Sequence, residues 1–415
     1  MSCNCFEDTL LYSSPSHGDW GVVRIAALVP ESHILFICPF ACGRHGALGA
    51  VQHGFKDRVS YLYVDQRDII AGYDDLVEQA VGTLLSKKPC MAILLFVSCL
   101  DDLIGTDLEA LCERLHPRHP GTAFRSAHMN PIALDTKEPP MLTTNRAMFD
   151  FLMPRSDRDR GINLVGNLDP IRPDCELFGV LRMMGAAPTR HIGDFDTFET
   201  FQDMAKSAGS LVLSPIGTLA AQSMERKLAM PYLFEPVSYR LSEIAEQYMR
   251  IARFLGKKCA PDLENRERQA RDAMEETRRA LGGRPVWIAG GAVAKPFGLA
   301  RALLEAGFRV ETVVAQKVLP IDRTDYDWMR KTRPEIAILQ PQHTRLIDFG
   351  CRRPEAVAVG FDAAYIAGTG RVLELANDAG LFGYGGIVRL MEGLTAAASG
   401  ERDLKELIDA YGAVV

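Results

Sequence analysis

The sequence lacks long uninterrupted apolar runs. Hydrophobic residues make up 47% of its 415 positions, yet no run approaches the roughly 20 apolar residues that a membrane-spanning helix needs. The N-terminal segment MSCNCFEDTL also lacks the basic region and apolar stretch that are typical of a secretion signal. We therefore expect a soluble cytoplasmic protein with no membrane partner.

An excess of positive charge is also missing. With 47 Lys and Arg against 53 Asp and Glu, the formal net charge is −6, whereas proteins that bind nucleic acid usually present a basic face to the phosphates. Where basic residues are dense, in Glu264–Leu281, acidic residues alternate with them, which is typical of a solvated helix face. The composition therefore argues against a nucleic-acid partner.

The glycine-rich turns of nucleotide-binding proteins are incomplete in this chain. In AGGAVAKP (Ala289–Pro296), Lys295 is followed by proline rather than serine or threonine, and the spacing is wrong for a phosphate-binding loop. The turn also lacks the full glycine fingerprint and the ribose-binding acid of a dinucleotide site. We predict a structural turn between a strand and a helix, and no ATP hydrolysis by this chain.

What the sequence does contain is a recurring alternation of strands and helices. Runs rich in β-branched or aromatic residues predict strands at His33–Cys38, Val59–Val64 and Ala92–Ser98. Apolar residues at helical spacing lie between the last two runs. This alternation favours a parallel sheet covered by helices, and similar units open at Gly161 and Arg284.

A chain of 415 residues is too long for one ordinary core. We predict an α/β protein with three Rossmann-like domains, each a parallel sheet flanked by helices. The predicted domains are 1–158 with the candidate site, 159–282 with long helices at 241–255 and 261–281, and 283–415 with C-terminal helices.

Cysteines follow two of the predicted strands. Cys99 comes directly after Ala92–Ser98, while Cys38 and Cys42 form a CxxxC pair at the end of the first strand. The carboxyl ends of parallel strands share the edge where open α/β sheets bind ligands. Thiolates that meet there suit a soft metal, above all in an iron–sulfur cluster. The alternative is that these cysteines are small core residues, as most buried thiols are.

Other candidates lie close to these in the sequence. Cys3 and Cys5 belong to an N-terminal segment that could fold over the same edge, and His45 follows Cys42 by three residues. For a proton donor the candidates are His45, Asp102 and the substrate itself. We interpret the other cysteines as structural, namely Cys90, Cys112, Cys175, Cys259 and Cys351.

Several segments together resemble the nitrogenase component 1 superfamily. CPFACG (Cys38–Gly43) resembles that family's HGPxGC segment, and RDIIAGYDDLVEQAV (Arg67–Val81) resembles its xDxVFGGxxxLxxAI segment. KPCMAILLFVSCLDDLIGTDLEAL (Lys88–Leu111) is similar to its combined cysteine and LIGDD signature, and GYGGIVRLMEGL (Gly383–Leu394) to its C-terminal GYxG helix. The resemblance covers nearly the whole chain.

The resemblance implies a homodimer, or a dimer with a related sister subunit, built around an iron–sulfur cluster of the 4Fe-4S type. It also implies electrons from a separate ATP-hydrolysing iron protein. Cys42 and Cys99 match two of the family's cluster cysteines. The segment that matches the first cluster cysteine, YSSPSHGDWGVV, has none. The replacement ligand would be one of Cys3, Cys5, Cys38, Ser14 and Asp19.

Two further departures concern the substrate. Nitrogenase holds its cofactor with a cysteine and a histidine. At the matching positions this chain reads LVLSPIG near Leu213 and RVLELAND near Leu373, which argues against dinitrogen as the substrate. Our leading hypothesis is the catalytic component of a nitrogenase-like, ATP-dependent reductase that acts on a small organic substrate such as a tetrapyrrole. The alternative is a scaffold that holds a metallocluster during its assembly.

Overall fold

The computed structural model describes most of the chain, namely residues 21–52, 54–130, 136–168, 170–258, 263–341, 352–376, 378 and 380–411. These residues fall into two compact units. The N-terminal unit lies within Asp19–Pro170 and Ala186–Glu235, and the C-terminal unit within Ile171–Gly185 and Pro236–Val415. Every strand pair in both units is parallel.

The first sheet of the N-terminal unit has the order β2-β1-β3-β4. Its strands are β1 (Ser32–Cys38), β2 (Val59–Tyr63), β3 (Ala92–Ser98) and β4 (Ala123–Met129). The helices around it are α1 (Gly21–Ala26), α2 (Phe40–Gln52), α3 (Gln66–Ala71), α4 (Asp74–Lys87), α5 (Cys99–Ile104), α6 (Leu108–Arg118) and α7 (Pro140–Phe149). The three strands predicted here are confirmed to within one residue at each end.

The central strands of this sheet are buried on both faces, which explains their continuous apolar sequences. In β1, Ile34 and Phe36 pack in one core, while Leu35 and Ile37 pack in the core on the other side. Side chains alternate between the faces of a strand. An apolar residue is therefore needed at each position from Ile34 to Ile37.

The second sheet of the N-terminal unit has the order β6-β5-β7-β8. Its strands are β5 (Ile162–Val165), β6 (Thr189–Arg190), β7 (Gly209–Val212) and β8 (Tyr232–Phe234). Its α-helices are α9 (Phe198–Phe201) and α10 (Thr218–Leu228). Short 3₁₀ helices in the unit span Lys56–Arg58, Ile192–Asp194, Gln202–Lys206 and Pro215–Gly217.

The C-terminal unit contains a five-stranded sheet of order β11-β10-β9-β12-β13. Its strands are β9 (Val286–Ala289), β10 (Val310–Val314), β11 (Ala337–Leu339), β12 (Val357–Val359) and β13 (Val372–Leu373). Its helices are α8 (Glu176–Met183), α11 (Leu241–Phe254), α12 (Glu264–Leu281), α13 (Pro296–Glu305), α14 (Arg323–Thr332), α15 (Phe361–Ala367), α16 (Gly383–Ser399), α17 (Leu404–Tyr411) and the 3₁₀ helix Pro320–Asp322.

The glycine turn of this unit has a structural explanation. Asp322 accepts hydrogen bonds from the backbone N–H groups of Phe297 and Gly298, both at 2.8 Å. These N–H groups open α13, where a phosphate-binding loop would hold its anion. A carboxylate of the protein itself takes that position, and the turn joins β9 to α13 as predicted.

The predicted fold class, α/β with parallel sheets flanked by helices, is confirmed. Each predicted domain contains the strands of one sheet, and the boundaries at 158 and 282 stay a prediction. Both long helices are present, each with one bound as expected and the other within three residues. Among the described residues, no helix is both long and apolar enough to cross a bilayer.

Candidate functional site

Two candidate cysteines lie at the carboxyl end of the first sheet. Cys42 is in the first turn of α2, which follows β1, and Cys99 is the first residue of α5, which follows β3. Since β1 and β3 are hydrogen-bonded neighbours with Ile37 opposite Val97, both cysteines lie at one edge, here named the cysteine edge. Both are partly buried. Burial raises the pKa of the Cys42 thiol, and the nearby Cys99 raises it further.

Cys38 lies deeper than the other two. It is the last residue of β1, its exposed fraction is 0%, and it belongs to the hydrophobic core that contains Phe36. Burial, followed by the neighbouring Cys42 and Asp101, raises the pKa of its thiol to about 12. A metal ligand must be a thiolate, so this environment favours the alternative in which Cys38 is a packing residue.

Cys99 is the first residue of a short helix. The hydroxyl of Ser98, directly before α5, accepts a hydrogen bond from Leu100 N at 3.4 Å. Gly105 ends the helix with a φ of 72°, which only glycine adopts without strain. Gly105 therefore serves to end α5.

Asp102, a candidate from the sequence, belongs to a polar cluster beside Cys99 whose other members the sequence did not reveal. Asp102, on α5, contacts the Nδ1 atom of His128 at 2.7 Å and accepts a hydrogen bond from Asn130 at 2.6 Å. His128 lies in β4, where it pairs with Val97 of β3. His128 also lines a cavity of about 700 Å³. Cys99 was chosen because it follows a strand. The same criterion would have found His128, since the segment SAHMN (Ser126–Asn130) places polar residues at the end of β4.

The neighbouring Asp101 has a different environment. It is 3% exposed, and burial raises its pKa to about 6 although its backbone hydrogen bonds and His128 act in the opposite direction. Two adjacent carboxyl groups of α5 therefore differ in solvation. Of the two, Asp102 is the one that is partly open to solvent, with 31% of its side chain exposed.

Exposed apolar side chains surround the cysteine edge. Phe40 begins α2, is 72% exposed, and its ring lies 5.1 Å from that of Tyr63 at the end of β2. Ile70 on α3 is 87% exposed, and Leu103 and Ile104 on α5 are also exposed. Apolar residues grouped in this way on a surface typically mark an interaction site.

The described residues supply two of the four ligands that an iron–sulfur cluster needs. Such a cluster takes four protein ligands, usually thiolates, and Cys42 and Cys99 supply two at the cysteine edge. Within the described residues, no three His, Cys, Asp or Glu side chains form a group that could hold a metal ion. Cys5 and the side chain of His45 lie outside the described residues, so their predicted roles stay predictions.

The two segments that replace nitrogenase's cofactor ligands contain no ligand at the matching positions. Leu213 follows β7 and is 5% exposed. Leu373 ends β13. Hydrocarbon side chains cannot ligate a metal, and the expectation that this chain holds no nitrogenase cofactor at these positions stays a prediction.

The sequence matches a known protein family. The family model of nitrogenase component 1 type oxidoreductases matches residues 19–398. The nitrogenase iron-molybdenum cofactor biosynthesis protein NifE of Bradyrhizobium diazoefficiens is 26% identical over 268 residues, 60% of this chain and 47% of that protein. The NifE of Rhodobacter capsulatus is 24% identical over 338 residues, 74% of this chain and 67% of that protein. The chain thus spans about half to two thirds of these relatives.

Solved structures agree in fold. Nitrogenase Cp1 at pH 6.5 matches with a TM-score of 0.72 and 17% sequence identity, over 95% of this chain and 94% of that one. Nitrogenase Cp1 at pH 5 matches with a TM-score of 0.63 and 13% identity. Since the family model spans nearly the whole sequence, the chain belongs to the nitrogenase component 1 type oxidoreductase family.

Proposed function

We propose that this chain is a scaffold subunit that holds an iron–sulfur metallocluster during its assembly. The observation that carries the proposal is the pair of partly buried thiols, Cys42 and Cys99, at one sheet edge. The pair supplies two of the four ligands that a cluster takes. A cargo cluster has to enter and leave, and ligands that solvent can reach suit that task.

The relatives support the scaffold over the reductase that we favoured from the sequence. Both NifE proteins are named as proteins of iron-molybdenum cofactor biosynthesis. The hydrocarbon residues Leu213 and Leu373 also leave this chain without the ligands that would retain a nitrogenase cofactor for turnover. Family membership supports iron–sulfur binding in general; the 4Fe-4S type is part of the proposal.

A second subunit would complete the donor set. Phe40, Ile70 and Leu103 are each more than 70% exposed at the edge that carries Cys42 and Cys99, and covering these side chains would be favourable. A homodimer, or a pairing with a related sister subunit, would bring two further thiolates to the same place. Either arrangement would complete the set of four ligands, of which the described residues supply two.

The groups around Cys42 and Cys99 suit the binding of a cluster. Burial and the nearby Cys99 raise the pKa of Cys42, so ligation must displace a proton and becomes more favourable as the pH rises. The N–H groups in the first turn of α5 have no intrahelical partner, and they stabilise negative charge beside Cys99. The Asp102–His128 pair offers a nearby acceptor for the displaced proton.

The first experiment measures iron and acid-labile sulfide per chain after anaerobic purification. We expect near-equal amounts, about two of each per chain for one four-iron cluster shared by two subunits. Cys42→Ala and Cys99→Ala should each lose most of the iron. Cys90→Ala is the matched control, because its partly buried thiol lies two residues before β3, at the strand end opposite to Cys99, and it should keep the iron. Protein without iron after reconstitution would overturn the proposal.

A second measurement separates the scaffold from the reductase. Loaded protein is mixed with an iron chelator, and cluster absorbance is followed with time. A scaffold should release its cluster within minutes. A cluster that persists for hours, together with substrate-dependent ATP hydrolysis when an iron protein is added, would favour the reductase hypothesis instead.

A further inference from the structure

A cavity of about 1000 Å³ opens at the opposite edge of the first sheet. Its lining includes Ser32 at the start of β1, Met91 directly before β3 and Thr122 directly before β4. These positions are the amino ends of parallel strands, so the cavity lies away from Cys42 and Cys99. We name it the amino-edge cavity, and the proposed scaffold function makes no use of it.

Two cations in this cavity have no carboxylate partner among the described residues. Arg58 donates from Nε to Ser32 O at 3.1 Å and from Nη2 to Ser32 Oγ at 2.8 Å, and also contacts the carbonyl of Val29. Its Nη1 has no protein partner in the described chain. Lys88 donates to the backbone carbonyl of Asp57. Burial lowers the pKa of Arg58, as expected for a charge without a counter-ion.

A buried histidine lies near these two cations. His33 lines the cavity and is 3% exposed. Burial lowers the pKa of His33 to about 4, and the positive charges of Lys88 and Arg58 contribute to that shift. The ring is therefore neutral at physiological pH, with Nε2 at 2.9 Å from Ser60 Oγ. A neutral imidazole beside two cations leaves room for an anion and supplies no competing negative charge.

Two carboxylates also line the cavity, and neither is paired with these two cations in the part of the chain that the structure describes. Glu31 accepts a hydrogen bond from Phe198 N at 2.9 Å, at the start of α9. Asp196 also lines the cavity but is exposed to solvent. Arg118, a third cation of the lining, is paired with Glu78. The charges without a carboxylate partner are therefore those of Arg58 and Lys88.

Apolar side chains form the rest of the wall. Leu28, Met91 and Phe195 all line the cavity, and Met91 is 45% exposed. An inorganic ion alone would leave these side chains in water. A ligand with an anionic head and an apolar body would satisfy both parts of the wall, since binding sites combine apolar walls with a few placed polar groups.

We propose that the amino-edge cavity binds a small organic anion that carries a phosphate or a carboxylate on an apolar body. The charged group lies against Arg58 and Lys88, and the apolar body lies against Met91 and Phe195. The site is separate from the cysteine edge, so the inference stands or falls independently of the scaffold proposal.

Calorimetric titration of the full chain with 1-naphthyl phosphate, 1-naphthoate and neutral 1-naphthol tests the site. We expect saturable binding, one molecule per chain, of at least one of the two anions and none of naphthol. The anion that binds more tightly identifies the head group. Lys88→Glu should weaken binding at least tenfold. Lys87→Glu is the matched control, because Lys87 ends α4 and lies outside the lining, and it should change binding less than twofold.

The test compares the loss of affinity in Lys88→Glu with that in Lys87→Glu. Both make the same change of charge at neighbouring positions, and at 0.15 M salt an exposed charge acts over about 8 Å. Thermal unfolding of both variants should match that of the unmodified chain. Equal weakening by both substitutions, binding of naphthol as tight as that of the anions, or no saturable heat at millimolar probe would overturn the proposal.

Discussion

The hydroxyl of Tyr248 donates a hydrogen bond to the carboxylate of Glu176, with 2.6 Å between the two oxygens. The same carboxylate accepts the N–H groups of Tyr384 at 3.0 Å and Gly385 at 2.9 Å, and lies 3.3 Å from Arg266. Tyr384 and Gly385 belong to the first turn of α16, whose N–H groups have no partner within the helix. Glu176 on α8 therefore caps α16, and its negative charge suits that end of a helix.

Replacement of Glu176 tests this cap. Glu176→Ala leaves a buried hydroxyl and two N–H groups without an acceptor, so we expect the free energy of unfolding to fall by about 3 kcal/mol. Tyr248→Phe removes one donor and should cost about 1 kcal/mol. Urea unfolding followed by circular dichroism measures both. Equal losses would mean that the carboxylate contributes only through Tyr248.

The glycines of the GYGG segment give a second prediction. A Cβ atom on Gly386 would lie 2.1 Å from the carbonyl oxygen of Leu381, while a Cβ on Gly179, inside α8, would meet nothing within 4 Å. Gly386→Ala should therefore lower the free energy of unfolding by about 3 kcal/mol.

Gly179→Ala is the control for that substitution. It should raise the free energy of unfolding by about 0.5–1 kcal/mol, because alanine is the better helix former. Urea unfolding of both variants gives the comparison. If Gly386→Ala unfolds at the same urea concentration as the unmodified chain, the close approach to Leu381 does not constrain the segment.

The burial of Cys38 predicts a thiol that does not react in the folded protein. Its exposed fraction is 0% and its pKa is about 12, and only the thiolate is nucleophilic. At pH 8, iodoacetamide should leave Cys38 unmodified until the chain is unfolded in urea, as read by peptide mass spectrometry.

Because Cys38 is buried, we expect that it does not bind the metal. Cys38→Ala should keep its iron after anaerobic reconstitution, whereas Cys99→Ala should lose it. Loss of iron in both variants, or rapid alkylation of Cys38 in the folded chain, would assign Cys38 to the ligand set instead.

Stability should depend on pH through Asp322. The residue is 1% exposed, and burial raises its pKa to about 7 against two backbone hydrogen bonds that lower it. The folded pKa exceeds the unfolded value of 3.8, so the folded chain binds this proton more tightly. The stabilisation is complete below about pH 4 and is lost as the pH rises towards 7.

Asp322→Asn removes this titration. The unfolding free energy of the unmodified chain minus that of the variant should decline between pH 5 and 7, by up to about 1.4 kcal/mol per pH unit. Urea unfolding at pH 5, 6 and 7 measures the difference. A difference that stays constant from pH 5 to 7 would contradict this prediction, and would mean that the N–H groups of α13 keep the carboxylate ionised.

Local patterns were enough for much of the fold. The bounds of β3, Ala92–Ser98, could be predicted because a strand buried on both faces needs an apolar residue at nearly every position. The turn before α13 could be interpreted as structural from Lys295 and Pro296 alone. Adjacent parallel strands also predicted that Cys42 and Cys99 would lie at one edge, since parallel strands end on the same side.

The sequence by itself therefore determined the alternation of strands and helices, the family likeness and the edge that carries Cys42 and Cys99. Only the tertiary structure decided that Asp102 meets His128 and that Glu176 caps a helix 208 residues away. It also placed Cys38 in the core that contains Phe36. The physical reason is that apolar periodicity acts over a few residues, whereas hydrogen bonds between distant segments depend on which strands and helices become neighbours.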